Sequence, residues 1–143
     1  MAYSPLELLA RLIQCEAGGE GEVGMKAVAS VVMNRVEADI GEYQRISNGG
    51  SIHNIVFQPH QFECALDGNR GQNIHNMQPQ QIHYDIAEWA LGGGRLPGIE
   101  EALWFFNPYS VNCKGNFPSK IGQYLIRIGD HCFYVPTHVY NQT

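Results

Sequence analysis

Ser4-Pro5-Leu6-Glu7-Leu8-Leu9-Ala10-Arg11-Leu12-Ile13-Gln14-Cys15-Glu16-Ala17-Gly18-Gly19 opens the chain with a helix and its punctuation. Ser4 and Glu7 have the spacing of a capping box, and Pro5 stands at the first helical position. Apolar residues recur at helical intervals until Gly18-Gly19, which predicts a helix over 5–17. Glu16 falls on the same helical face as Leu9, Leu12 and Ile13. A carboxyl on a core-facing stripe is costly to ionise, so its pKa rises. An acid that stays protonated near neutral pH can give a proton to a leaving group. The structural alternatives are a Glu that bends out to solvent at the helix end, or one that pairs with Arg35 or Arg11.

Working outward, Glu20 and Glu22 place acids where the positive end of a second helix begins. That helix continues from Met25 to Val36 and is apolar nearly all round, as a central buried helix is. Its small residues Ala27, Ala29 and Ser30 suit close approach of the first helix. Residues 37–78 read as irregular, with turn signals at Gly41, Asn48-Gly49-Gly50 and Asp67-Gly68-Asn69. Within them, residues 51–56 fit a short helix or a strand. A third helix is expected from Pro79, with Ile82, Ile86 and Trp89 on one face and Gly92-Gly93-Gly94 as its end. The last third changes period: residues 102–107 read as a strand stopped by Pro108, and 124–128 and 131–135 as two strands joined by Gly129-Asp130. The expected fold class is α+β, with residues 1–143 as one domain.

The chain has 143 residues, is 44% hydrophobic and 16% charged, and has a formal net charge of -5, which fits a folded domain with a real core. No Lys/Arg run is present, so nucleic acid is not an expected partner. No stretch approaches a membrane span, and residues 1–5 lack a basic leader region. The expectation is therefore a chain made and first kept inside the producing cell.

Glycosidic cleavage needs a proton donor at the scissile oxygen, and many such enzymes add a second carboxylate. Beside Glu16, the candidates are Glu20, Glu22, Glu63 and Asp67. Glu20 reads more naturally as a cap of the second helix. Glu63, among aromatics in an irregular stretch, is the better candidate for a cleft. Aromatics crowd the C-terminal third, from Trp104 to Tyr140, where they can stack on sugar rings or fill a core. Asn107 and Gln58 are candidates to hydrogen-bond sugar hydroxyls or acetamides, or to close turns. The six histidines form no HExxH; His60 and Glu63 have H-x-x-E spacing without a second half, so no metal is assigned. Cys15, Cys64, Cys113 and Cys132 form no CxxC. Two disulfides can form in an oxidising setting, with Cys113 and Cys132 as neighbours, while Cys15 is expected to be a packed thiol. No Ser or phosphate-loop motif points to other chemistry.

Four ordered motifs resemble the SleB/CwlJ cell wall hydrolases. They are Cys15-Glu16-Ala17-Gly18-Gly19-Glu20-Gly21-Glu22 with Val32-Met33-Asn34-Arg35-Val36, Ile55-Val56-Phe57-Gln58-Pro59-His60-Gln61-Phe62-Glu63, Leu103-Trp104-Phe105-Phe106-Asn107-Pro108, and Gly129-Asp130-His131-Cys132-Phe133-Tyr134. The likeness is to the CwlJ-type members, and Gly18 departs from the basic residue often found there in SleB-type sequences. The resemblance implies a lysozyme-like domain, with a helical lobe, a small antiparallel β lobe and a cleft between them. It makes Glu16 the catalytic acid/base and places Glu20, Gln58, Phe62, Glu63, Phe106, Asn107 and His131 at the substrate. It implies a spore cortex-lytic enzyme acting on muramic-lactam peptidoglycan in germination, from a site at the spore coat and outer cortex boundary. A coat protein partner and activation by calcium dipicolinate belong to the same expectation. The product, anhydro or reducing, stays open, as does a glycan-binding coat protein without catalysis.

Overall fold

In a computed structural model that describes residues 2–66, 71–115 and 117–143, five α-helices precede a small sheet. Asp67 and the Asp67-Gly68-Asn69 turn signal lie outside the described residues. Helix α1 (Pro5–Ala17) starts as expected: Ser4 Oγ accepts the Glu7 N–H at 3.1 Å. Glu7 does not close the box. Its carboxylate takes Arg11 Nε at 2.6 Å and the Tyr84 hydroxyl at 2.8 Å, tying α1 to α5 (Gln81–Leu91). Leu8, Leu9, Leu12 and Ile13 form the buried stripe of α1.

Helix α2 (Gly21–Val36) is the central element, buried along almost its whole length. Glu20 stands at its N-cap position, but the side chain makes no capping bond, contrary to the role expected for it. Asn34 connects α2 to the chain entering the sheet: its amide donates to the Ala102 carbonyl at 2.8 Å and accepts from Arg95 Nε at 2.8 Å.

The stretch expected to be irregular contains two helices: α3 (Gly41–Ser47), which was not expected, and α4 (Ile52–Val56), the helical alternative for residues 51–56. Both are too short to show a periodic pattern, and tertiary contact holds them rather than propensity. In α3 the anchor is Tyr43, whose backbone N–H donates to the Tyr140 hydroxyl at 3.1 Å while that hydroxyl donates to the Ile40 carbonyl at 3.0 Å. Helix α5 begins after Pro79, and Ile82 faces out rather than in.

Strands β1 (Trp104–Phe106), β2 (Gly122–Ile128) and β3 (His131–Pro136) form an antiparallel sheet in the order β1-β3-β2. The central strand β3 is buried from His131 to Tyr134, and the edge strand β2 carries a bulge between Tyr124 and Ile126. Gly129 turns the β2–β3 hairpin at φ 58°, the left-handed value that the first position of a type II′ turn requires. One apolar cluster runs from Leu8 to Tyr140 and joins the helices to the sheet, giving the α+β architecture expected.

All four cysteines are paired, Cys15 with Cys64 and Cys113 with Cys132. Cys15 is thus not the packed thiol expected from its helix: it turns off the core stripe of α1 toward the segment that carries Cys64. Among the described residues no helix is long and apolar enough to cross a membrane.

Candidate active site

Between the end of α1 and the sheet lies a cleft of about 950 Å³, and Glu16 stands in its wall. The stripe that buries Leu9, Leu12 and Ile13 also carries the Glu16 carboxyl into a desolvated position at the cleft. Burial pushes its pKa up to about 7, and the nearby Glu63 charge adds to the rise. The Cys64 backbone N–H and the Arg35 guanidinium pull the other way. The balance leaves an acid that can be either protonated or ionised near neutral pH.

Arg35 is only 3% exposed and forms part of the cleft floor. It donates through Nε to the Leu103 carbonyl at 2.7 Å and lies over the rings of Tyr43 at 4.8 Å and Phe62 at 5.0 Å. Gln61 Oε1 accepts the Tyr43 hydroxyl at 3.0 Å, which fixes the start of the segment bearing Phe62, Glu63 and Cys64. Phe62 is 2% exposed and packs on Phe105, so it supports the wall and offers little surface to a ligand.

Glu20 crosses from the helices to the sheet. Its Oε1 accepts the Asp130 N–H at 2.8 Å, and a Cβ on Gly129 would come within 2.7 Å of the same oxygen. His131 Nδ1 lies 3.2 Å from Oε1 in close electrostatic contact, outside hydrogen-bond geometry. Burial lowers the His131 pKa against the opposing pull of Glu20 and Asp130. Glu20 and His131 therefore line the cleft as an inter-lobe contact. Of the two carboxylates, Glu63 is the one whose charge is felt at Glu16.

At the sheet end, Phe106 stacks on Phe117 with ring centroids 4.5 Å apart, and Lys114 lies over both rings. Asn107 Oδ1 accepts the Tyr109 N–H at 2.8 Å, so this oxygen closes a turn. That turn holds Tyr109 at φ 54° with its ring 87% exposed at the cleft. The opposite end is formed by Gln80, Ile82 and His83 at the start of α5. Gln58 lies elsewhere. Its amide donates to Glu42 at 2.7 Å, and it borders a separate groove with Ile46, His53 and Phe57.

The structure thus brings together Glu16, Glu20, Phe62, Glu63, Phe106, Asn107 and His131, and leaves Gln58 out. Arg35 was a candidate partner of Glu16 from the sequence, while the Cys64 amide was not foreseen. Arg35 near the end of the mostly apolar α2 was a usable signal; nothing local signalled the amide. The Cys15 and Cys64 sulfurs and a Glu16 oxygen lie within 4.8 Å of one another. With the sulfurs bonded to each other, neither is a thiolate, and the trio is not a metal-binding set. Among the described residues no cluster of three carboxylates is present.

The profile of the cell wall hydrolase family matches residues 19–134, beginning just after Glu16. The chain is 30% identical over 141 residues to the cell wall hydrolase CwlJ of Bacillus subtilis, covering 95% of this chain and 92% of that protein. It is 31% identical over 129 residues to the spore cortex-lytic enzyme of the same organism, covering 90% of this chain and 36% of that longer protein. The crystal structure of the catalytic domain of Bacillus cereus SleB superposes with a TM-score of 0.66 at 26% identity, over 93% of this chain and 92% of the other. By sequence over nearly its whole length and by fold, the chain belongs to the cell wall hydrolase family.

Proposed function

We propose that the chain cleaves glycosidic bonds of spore cortex peptidoglycan during germination, as a lytic transglycosylase in which Glu16 is acid and then base. The observation that carries the reading is Glu16 itself, a desolvated carboxyl in a cleft with its pKa near 7. Protonated Glu16 gives its proton to the glycosidic oxygen as that bond breaks. The carboxylate left behind then takes the proton of the muramic 6-hydroxyl, which closes on the anomeric carbon to give an anhydro product. One group does both jobs, which suits a pKa close to the working pH. Phe106 and Tyr109 offer aromatic faces to sugar rings, and Glu20 holds the hairpin that forms the opposite wall. The name of the spore cortex-lytic relative supports cortex as substrate, and the coat–cortex boundary is the location proposed with it. A coat protein partner belongs to the same proposal. Activation by calcium dipicolinate belongs to it as well.

A second reading has water as nucleophile, activated by Glu63, and is favoured by the charge of Glu63 being felt at Glu16. Mass spectrometry of soluble products from purified cortex peptidoglycan separates the two: anhydro-muramic ends support the first, and reducing ends replace it with the second. Glu63→Gln gives an independent check. Under the first reading turnover at acid pH stays within a few-fold of wild type, and the basic limb of the pH profile moves to lower pH, because the charge that raises Glu16 is gone. A loss of about 10²–10⁴-fold at all pH values would instead identify Glu63 as a catalytic base.

A further inference from the structure

The Cys15–Cys64 disulfide lies beside the catalytic carboxyl, not out in the framework. Cys15 immediately precedes Glu16 on the last turn of α1, and Cys64 follows Glu63 in a single 3₁₀ turn, Glu63–Ala65. Cys64 contributes twice: its sulfur bonds Cys15 within 4.8 Å of a Glu16 oxygen, and its backbone N–H favours the ionised form of that carboxyl. The backbone bonds of this turn, Ala65 N–H to Phe62 and Leu66 N–H to Glu63, are local and do not attach it to α1. A turn of three residues has no cooperative stability of its own, so its place against α1 depends on tertiary ties.

We propose that the Cys15–Cys64 disulfide is a positioning crosslink for Glu16, holding the Cys64 amide and Glu63 against the carboxyl so that proton donation depends on the oxidised state of this pair. The proposal rests on Glu16 being the acid. The reducing step needs a dithiol, which supplies two electrons and two protons. The S–S bond breaks to two thiols while the dithiol closes to its own disulfide. The freed sulfurs must separate to van der Waals contact, which draws the Cys64 N–H away from the carboxyl. Displacement of this order at a reacting group lowers turnover by up to about 10²-fold.

Cys113–Cys132 is the internal control. It ties the segment after β1 to β3 and does not touch Glu16. Both bridges close loops, with sequence separations of 49 and 19, and constrain the unfolded chain. Only the first borders the acid. A purely stabilising role predicts that the two pairs behave alike, whereas a positioning role predicts that they differ.

The test compares Cys15→Ser/Cys64→Ser with Cys113→Ser/Cys132→Ser in the full chain. The readouts are turnover, KM for soluble cortex fragments and the Glu16 carboxyl titration followed by ¹³C NMR. The first pair should lose about 10- to 100-fold in turnover at a KM near wild type, with a displaced Glu16 titration. The second pair should stay within about threefold, with the titration in place. If the first chain does not fold, the second retains Cys15–Cys64 as its sole bridge, and reduction and reoxidation of that folded protein must move turnover and titration reversibly. An unmoved Glu16 titration and wild-type turnover in Cys15→Ser/Cys64→Ser, or on reduction, overturn the proposal. Absence of product from oxidised wild type would sink the glycosidase reading, while the titration still decides the role of the crosslink.

Discussion

Glu16→Gln is expected to stop product release from cortex peptidoglycan, with turnover falling by about 10²–10⁴-fold, the usual contribution of a positioned general acid. The amide keeps the shape and neutrality of the protonated acid, so glycan binding should persist, measured by co-sedimentation with insoluble cortex. Retained cleavage would remove Glu16 from the chemistry. Loss of binding along with cleavage would mean that the substitution disturbed the cleft rather than the proton. In wild type, turnover should decline as pH rises through about 7, because the proton to be donated is then lost.

The same substitution should stabilise the fold at alkaline pH. Glu16 has a pKa of about 7 when folded, against an ordinary value of 4.5. The folded state therefore binds more protons than the unfolded state between those limits. The corresponding stability is fully present below about 4.5 and is lost as pH rises through about 7. The difference approaches about 3 kcal/mol at pH 8, less whatever water in the cleft screens. Gln has no proton to lose, so Glu16→Gln should melt above wild type at pH 8 and close to it at pH 4.5. Equal melting temperatures at both pH values would mean that Glu16 is not desolvated.

Local patterns made part of this site legible. Helix α1 advertised itself by its cap, its stripe and its glycine stop, and a carboxyl on that stripe was already anomalous. The hairpin was visible because Gly129-Asp130 separates two runs of strand-forming residues. Contacts between distant segments were hidden. Cys15 meets Cys64 across 49 positions, and no spacing rule names that partner. Glu20 occupies a helix-cap position, yet its carboxylate is taken by Asp130, 110 residues away. Asn107 and Gln58 looked alike as polar residues in motifs, but one closes a turn at the cleft and the other binds Glu42 beyond it. Residue type shows what a side chain can do; burial and partner decide what it does.

Arg35→Met is expected to move both chemistry and stability, and the two readouts have different causes. The guanidinium favours the ionised form of Glu16, so its removal should raise the Glu16 titration and shift the basic limb of the pH profile upward. Stability should fall by about 2 kcal/mol in urea titration. The Leu103 carbonyl loses its buried donor, a cost of about 1–3 kcal/mol. Tyr43 and Phe62 lose a desolvated cation, worth about 1–2 kcal/mol more. Relief from burying the charge offsets part of this. Arg35→Lys should keep the Glu16 titration near wild type while still losing stability, because an ammonium carries the charge without the planar fork. An unchanged Glu16 titration in Arg35→Met would mean that Arg35 only braces the wall. In the proposed mechanism a single carboxyl has two tasks. Burial and Glu63 alone would hold it protonated, ready to give a proton but slow to release it. Arg35 and the Cys64 amide alone would hold it ionised, ready to accept but empty-handed at the first step. Only their opposition places a single residue near 7, where it can serve both halves of the reaction.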